Sequence, residues 1–301
     1  MTKLTVITID HLTKDYGNNK GVFDVTLTIK AGEVYGYLGP NGAGKSTTMR
    51  HLMGFSKPQT GSVKIFGMDC WTEQKEIQKR IGYLPGEISF PDDMTGLHYL
   101  KLIANMRKMT DFSYATELLD YFEINPNAGI KRMSKGMKQK IGIVAAFMHR
   151  PELLLLDEPT SGLDPLMQNR FIELMEKEKA EGKTIILSSH IFEEVEKTCD
   201  RIGMIRNGHL IKEVTVDELR HSQLKTYKIE FIDSHALTDL KQIYPEATYR
   251  TAENQMIVTI NDSNINQLLA VLSKHNVRFL KEEKHTLEEY FMQFYGGNQH
   301  V

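Results

Sequence analysis

The chain has 301 residues, enough for one large α/β domain and a smaller second one. A formal net charge of −2 supplies no global basic field, so nucleic acid is not expected as the main partner. Cys70 and Cys199 lie far apart without metal-like spacing and read as thiols of a reducing compartment, and no window approaches the roughly 18 uninterrupted apolar residues of a membrane span.

The first residues alternate apolar and polar as an edge strand does and lack the apolar core of a signal peptide. A cytoplasmic chain is expected, with any link to a membrane running through another chain. Three β-like runs come first: Thr5 to Ile9, Val22 to Ile29 and Val34 to Leu38. The third leads into Gly39-Pro-Asn41-Gly42-Ala-Gly44-Lys45-Ser46-Thr47, a G-x-x-x-x-G-K-[ST] phosphate loop with a helix expected from near Lys45. Glycines at 39, 42 and 44 let the backbone curl its amides toward phosphate oxygens, and the helix N-terminus adds positive potential there. Lys45 supplies a charge for the β- and γ-phosphates, and the Ser46 hydroxyl suits Mg²⁺. The loop implies that the chain binds a nucleoside triphosphate.

From Pro91 to Arg150 the pattern changes to helical spacing, as in Leu97, Leu100, Ile103 and Ala104, then Ala115, Leu118, Leu119 and Phe122. An all-helical insert, over about 88–150, is expected within an α/β core. At its end Ser134 is a good N-cap, and Gly136 exposes backbone N–H groups at the start of a helix running to His149. The segment reads as a plain helix cap or as an anion-facing helix end. The basic cluster Lys131, Arg132, Lys135, Lys138 and Lys140 reads as a solvated face, a nucleic-acid patch or a phosphate neighbourhood.

The β-α-β rhythm then returns. Leu153 to Leu156 is a buried strand running into Asp157 and Glu158, Met167 to Ala180 a helix, and Lys183 to His190 a second buried strand. Two carboxylates at the end of so apolar a strand suit a phosphate site: Asp157 to hold Mg²⁺ and Glu158 to polarise an attacking water. Lys212 to Thr226 reads as a linker. Beyond it, β-like runs at 227–232, 247–250, 256–260 and 277–281 alternate with helical ones at 236–244 and 265–275, the order of a split-βαβ sandwich, followed by an amphipathic helix from Thr286 to Tyr295. The expected domains are 1–215 and 222–301.

The order of the phosphate loop, "MSKGM" (133–137), "LLLLDEP" (153–159), "SGLD" (161–164) and His190 after "IILSS" resembles that of ABC-transporter ATP-binding subunits over roughly the first 215 residues. The resemblance implies an α/β P-loop NTPase core of RecA-like type with an inserted helical subdomain, beside the small α+β domain at the C-terminus. It implies ATP and Mg²⁺ as ligands, with Tyr16 stacking on adenine. It further implies that Ser134 and Gly136 complete the γ-phosphate shell of a second subunit, in a homodimer or heterodimer, with Asp164 at the seam and His190 acting with Glu158. The partner is an integral membrane permease on separate chains, the location the inner face of the cell membrane, and the activity ATP hydrolysis powering transport, with export the expected direction. The C-terminal domain is similar to extensions on subunits of bacterial drug and peptide exporters, or is a generic dimerisation or packing module.

Two positions depart from the family pattern. Gly86 stands where the family has a glutamine reaching Mg²⁺ and water, and a positive-φ backbone is one reading of that glycine. Lys135 stands where the signature has glycine, and Met137 where glutamine is common. The rival readings are a soluble ABC ATPase acting on ribosomes or nucleic acid, a P-loop GTPase or small-molecule kinase, and a binding regulator without catalysis. No guanine motif N-K-x-D is present, nor tandem ATPase domains, nor a long coiled-coil insertion.

Overall fold

A computed structural model describes residues 4–91, 93–220, 224–233 and 235–283, together with Leu287 and Phe291. The chain divides into two compact units, Met1–Val216 and Asp217–Val301.

In the first unit, β1 (Thr5–Asp15), β2 (Gly21–Lys30) and β3 (Val34–Leu38) precede the phosphate loop and α1 (Lys45–Leu52). Then come β4 (Thr60–Ile65), β5 (Met68–Asp69), α2 (Gln74–Arg80) and β6 (Ile81–Leu84), followed by the helices α3 (Gly96–Met106), α4 (Ser113–Tyr121) and α5 (Lys135–Phe147). The unit closes with β7 (Leu153–Asp157), α6 (Pro165–Ala180), β8 (Thr184–Ser189), α7 (Phe192–Thr198), β9 (Arg201–Arg206), β10 (His209–Thr215) and, at the boundary, α8 (Val216–Arg220).

Two sheets organise it. An antiparallel sheet runs β2-β1-β4-β5, and a six-stranded sheet runs β10-β9-β3-β8-β7-β6. In the larger sheet β9, β3, β8, β7 and β6 are parallel, and only β10 pairs antiparallel. A parallel sheet buried on both faces calls for unbroken apolar strands, and Leu153 to Leu156 and Ile185 to Leu187 are all buried. Tyr35, Tyr37, Leu153, Leu155 and Ile186 point from one face into a core shared with Met49 and Leu52 of α1 and with β1 and β2. The loops at the C-terminal ends of β3, β7 and β8 therefore meet, the usual location of a ligand site on an open α/β sheet.

The sequence placed a linker over Lys212 to Thr226. The structure corrects this: Lys212, Glu213, Val214 and Thr215 pair with Met204, Gly203, Ile202 and Arg201. The polar character belongs to an edge strand with a solvated side, which reads like a loop in composition. The short strands β4, β5, β6 and β9 and the helices α2 and α7 were not anticipated either.

The second unit contains β11 (Leu224–Phe231), α9 (His235–Ile243), β12 (Thr248–Arg250), β13 (Gln255–Asn261), α10 (Ile265–Leu272) and β14 (Val277–Glu283), in a sheet ordered β12-β13-β11-β14. Ile229, Phe231, Leu237, Leu240, Met256, Val258 and Leu268 form its own core. Of the helix expected from Thr286 to Tyr295, Leu287 and Phe291 are helical and buried; the rest lies outside the described residues.

The helical insert is tied to α6 by polar contacts. The Tyr114 hydroxyl of α4 donates to Glu178, which is buried, and Lys177 pairs with Glu117 at 2.7 Å. Burial raises the Glu178 carboxyl above its ordinary value, while the Tyr114 hydrogen bond pulls it back down. A raised carboxyl contributes stability below its unfolded pKa and loses it as pH rises through the folded value, where the ionised form then depends on Tyr114. Tyr114→Phe should therefore cost about 1–3 kcal/mol of stability, more at pH 8 than at pH 5. Denaturant melts at the two pH values check this, and an equal loss at both would contradict the assigned role of Glu178.

Candidate functional site

The site grows from the loop between β3 and α1. Gly44, the residue capping α1, has φ 110°, and a Cβ there would meet Val22 Cγ1 at 2.9 Å, so only glycine turns the chain into the helix. Asn41, Gly42 and Ser46 are exposed, and Gly39 and Thr47 complete the loop and the first helical turn. Lys45 is almost fully buried, and its ammonium is held by oxygens alone. It donates to the carbonyls of Gly39 at 2.7 Å and Pro40 at 3.3 Å, and it lies 3.1 Å from Glu158 Oε1.

Glu158 follows β7 with φ 50°, a left-handed backbone that costs a non-glycine residue about 1–3 kcal/mol. Its N–H donates to the carbonyl of Ser188, and Gln139 of α5 donates to the carbonyls of Glu158 at 3.3 Å and Pro159 at 2.8 Å. This turn swings the carboxylate off the strand axis, so that Oε1 faces Lys45 while Oε2 lies 2.6 Å from His190 Nδ1. His190, half exposed, stands just beyond β8. Lys45, Glu158 and His190 thus form a continuous chain across the ends of three parallel strands.

Asp157, 3% exposed, accepts from the Ser188 hydroxyl. Gly86 lies against it: a Cβ at Gly86 would stand 3.3 Å from Asp157 Oδ2. The positive-φ reading of Gly86 is overturned, because its backbone lies outside the left-handed region. Gly86 instead lets the chain pass close against the Asp157 carboxylate, where a Cβ would press on Oδ2. The Asp157 carboxylate and the Ser46 hydroxyl are hard oxygen donors that fit Mg²⁺ once phosphate oxygens supply further ligands. Among the described residues no cluster of three or more His, Cys, Asp or Glu could hold a metal alone.

Two sets of predicted residues stand apart from this centre. Ser134 caps α5, accepting from the Met137 N–H at 3.2 Å. The start of α5 packs on the loop 161–164, where a Cβ at Gly136 would meet the Gly162 carbonyl at 2.5 Å. Lys135 lies along Gly162 and donates to Ser161 Oγ at 2.8 Å. Asp164 caps α6 by accepting from Met167 N–H. Among the described residues no hydrogen bond or ion pair joins Ser134, Gly136 or Asp164 to the phosphate loop of the same chain. The basic cluster is not one patch, since Lys140 turns away to donate to the Phe122 carbonyl. Tyr16 is 56% exposed, its hydroxyl 3.4 Å from Ser56 Oγ and its ring 5.7 Å from Lys14 Nζ.

Sequence reasoning passed over Gln139, Ser188, Ser189 and Glu194. The signal for the serines was present in two consecutive hydroxyls ending an otherwise apolar strand. Gln139 was hidden among the lysines of α5, although a glutamine on the buried face of a helix demands partners.

Comparison with known proteins points the same way. The family model described as ABC transporter matches residues 22–161. The bacitracin transport ATP-binding protein BcrA of Bacillus licheniformis is 33% identical, over 97% of this chain and 98% of its own length. The Nod factor export ATP-binding protein I of Rhizobium meliloti is 30% identical, over 96% and 88%. A solved ATP-binding subunit of an ABC transporter superimposes with a TM-score of 0.65 at 32% identity, covering 71% of this chain and 92% of that one.

Gln139→Leu keeps the side-chain volume but strips two carbonyls of their buried donor. A stability loss of about 1–3 kcal/mol and a reduced rate of ATP turnover are expected. Denaturation and steady-state assays measure both, and a variant matching wild type in the two would show that the Glu158 turn holds without Gln139.

Proposed function

The chain belongs to the ABC transporter family as an ATP-binding, ATP-hydrolysing subunit, and on that premise we propose how its residues divide the work. ATP is bound by the phosphate loop, with Gly39, Asn41, Gly42, Gly44 and Thr47 offering backbone and side-chain donors, Lys45 balancing the β- and γ-phosphate charge, and Tyr16 stacking on adenine. The exposure of Tyr16 beside the loop end of β1 supports that last role. Mg²⁺, when bound, would be held by Ser46 and Asp157 and would neutralise developing phosphate charge.

Glu158 is the general base. It orients the attacking water and accepts its proton, while His190, hydrogen-bonded to the other carboxylate oxygen, fixes the direction of Glu158 and approaches the γ-phosphate. The observation that carries this reading is the Lys45–Glu158–His190 chain, which puts the phosphate cation, the base and its orienting group within contact distance. Ser134, Gly136 and Asp164 act on the phosphate loop of a second ATP-binding subunit, identical or related. In one chain the helix start at Ser134 and Gly136 packs on the 161–164 loop that ends in Asp164, and a helix N-terminus is suited to the γ-phosphate of a partner. Closing and opening of that pair drive transport by separate membrane-spanning chains at the inner face of the membrane; among the described residues no helix is long and apolar enough to cross one. The names of the bacitracin and Nod factor relatives favour export. Units 1–215 and 222–301 serve as the ATPase and an accessory domain.

Glu158→Gln should retain ATP binding, lower turnover by about 10² to 10⁴, and accumulate a dimer with ATP and Mg²⁺ on size exclusion. Undiminished turnover, or a chain that stays monomeric, would contradict the assignment. Gly86→Gln needs no change of φ, requires the Asp157 carboxylate to yield by a few tenths of an ångström, adds an amide beside it and should raise basal turnover about threefold or more, whereas Glu87→Ala, on an exposed side chain, should leave it unchanged. Collapse of activity in Glu87→Ala would instead give Glu87 the missing glutamine's part.

A further inference from the structure

Behind His190 lies a carboxylate that the reaction above does not use. Glu194, on α7, is 5% exposed. Its Oε2 accepts from Ser189 Oγ at 2.6 Å, and the same Ser189 oxygen accepts the N–H of Ile191 at 3.0 Å. The two bonds bracket His190: one residue before it is tied to α7, and one residue after it is tied back to that tie. Thr160 lies against the same carboxyl, and Glu194 lines a cleft with Thr160, Pro165, Gln168, Asn169 and Lys197. A buried carboxylate is costly to keep, and a generic helix-packing role would be served by an apolar side chain.

We infer that Glu194 is a positioning residue for hydrolysis, holding the backbone of 189–191 through Ser189 so that His190 meets Glu158. The inference rests on the roles given to His190 and Glu158 above. Its surroundings support it. Burial pushes the Glu194 carboxyl up to about 7, against the hydrogen bonds of Ser189 and Thr160, with the Glu158 charge raising it further and His190 opposing. Ser189 needs only an acceptor oxygen, which a neutral carboxyl or an amide supplies as well as a carboxylate does. The positioning therefore does not require charge.

The test is steady-state ATP hydrolysis by the full chain with Mg²⁺, comparing Glu194→Leu, Glu194→Gln, Ser189→Ala and the Glu194→Leu/Ser189→Ala double variant. Glu194→Leu and Ser189→Ala should each lower kcat about 10- to 100-fold with KM for ATP nearly unchanged, as misplacement of an orienting group does. The double variant should be no worse than either single one, because both cut the same tie. Glu194→Gln should recover most of kcat. Ser189→Ala at the wild-type rate, full additivity of the two changes, or a rise in KM that accounts for the loss would each overturn the inference. Ser189→Ala also decides the matter if Glu194→Leu does not fold. Glu158→Gln in the same assay separates the two levels: if it turns over at the wild-type rate, the assignment of Glu158 has failed, and with it the premise of this inference.

Discussion

A buried ammonium can be kept only if oxygens replace the water it has lost, and the architecture of the site follows from meeting that demand at Lys45. Two of its partners are carbonyls of the phosphate loop, fixed by the curl through Gly39 and Gly44, and the third is the Glu158 carboxylate. The carbonyls follow β3 and the carboxylate follows β7, with β8 between them in the sheet. The ion pair is thus possible only because the parallel register brings the C-terminal ends of these strands level. In the proposed division of roles, triphosphate oxygens replace the oxygens that satisfy Lys45, and the pair is the point of exchange between protein and nucleotide.

Glu158 carries the opposite burden. To face Lys45 with one oxygen and His190 with the other it takes a left-handed backbone, and the surrounding structure holds that strained turn through the Ser188 carbonyl, the Gln139 amide and the packing of α5. Strain at the carboxylate proposed as the base, supported by ties from two elements, is the pattern of a pre-organised site. The same α5 starts against the 161–164 loop, where Lys135 reaches Ser161. One helix thereby links the proposed partner-facing surface to the turn that aims the proposed base.

Much of this was legible in the chain. The phosphate loop, the apolar strand ending in two carboxylates and the βαββαβ order of the C-terminal unit follow from spacing and periodicity, which local sequence encodes directly. Three things were not. The second half of the edge strand, Lys212 to Thr215, looked like a linker because its solvated side chains carry no period-two signal strong enough to show pairing. Gly86 suggested an unusual backbone, whereas its φ lies outside the left-handed region and its meaning lies in its close approach to Asp157, a tertiary fact. Gln139, Ser189 and Glu194 act on residues 19 to 20, two and five positions away respectively, through contacts that only the fold creates.

The central claim is that Lys45 exchanges the Glu158 carboxylate for nucleotide phosphate. Calorimetric titration of wild type and Glu158→Ala with a non-hydrolysable ATP analogue and Mg²⁺ tests it most directly, since the variant frees Lys45 without touching the phosphate loop. Affinity should tighten roughly five- to tenfold, the equivalent of about 1 kcal/mol for one ion pair no longer in competition. Unchanged or weaker binding would contradict the account.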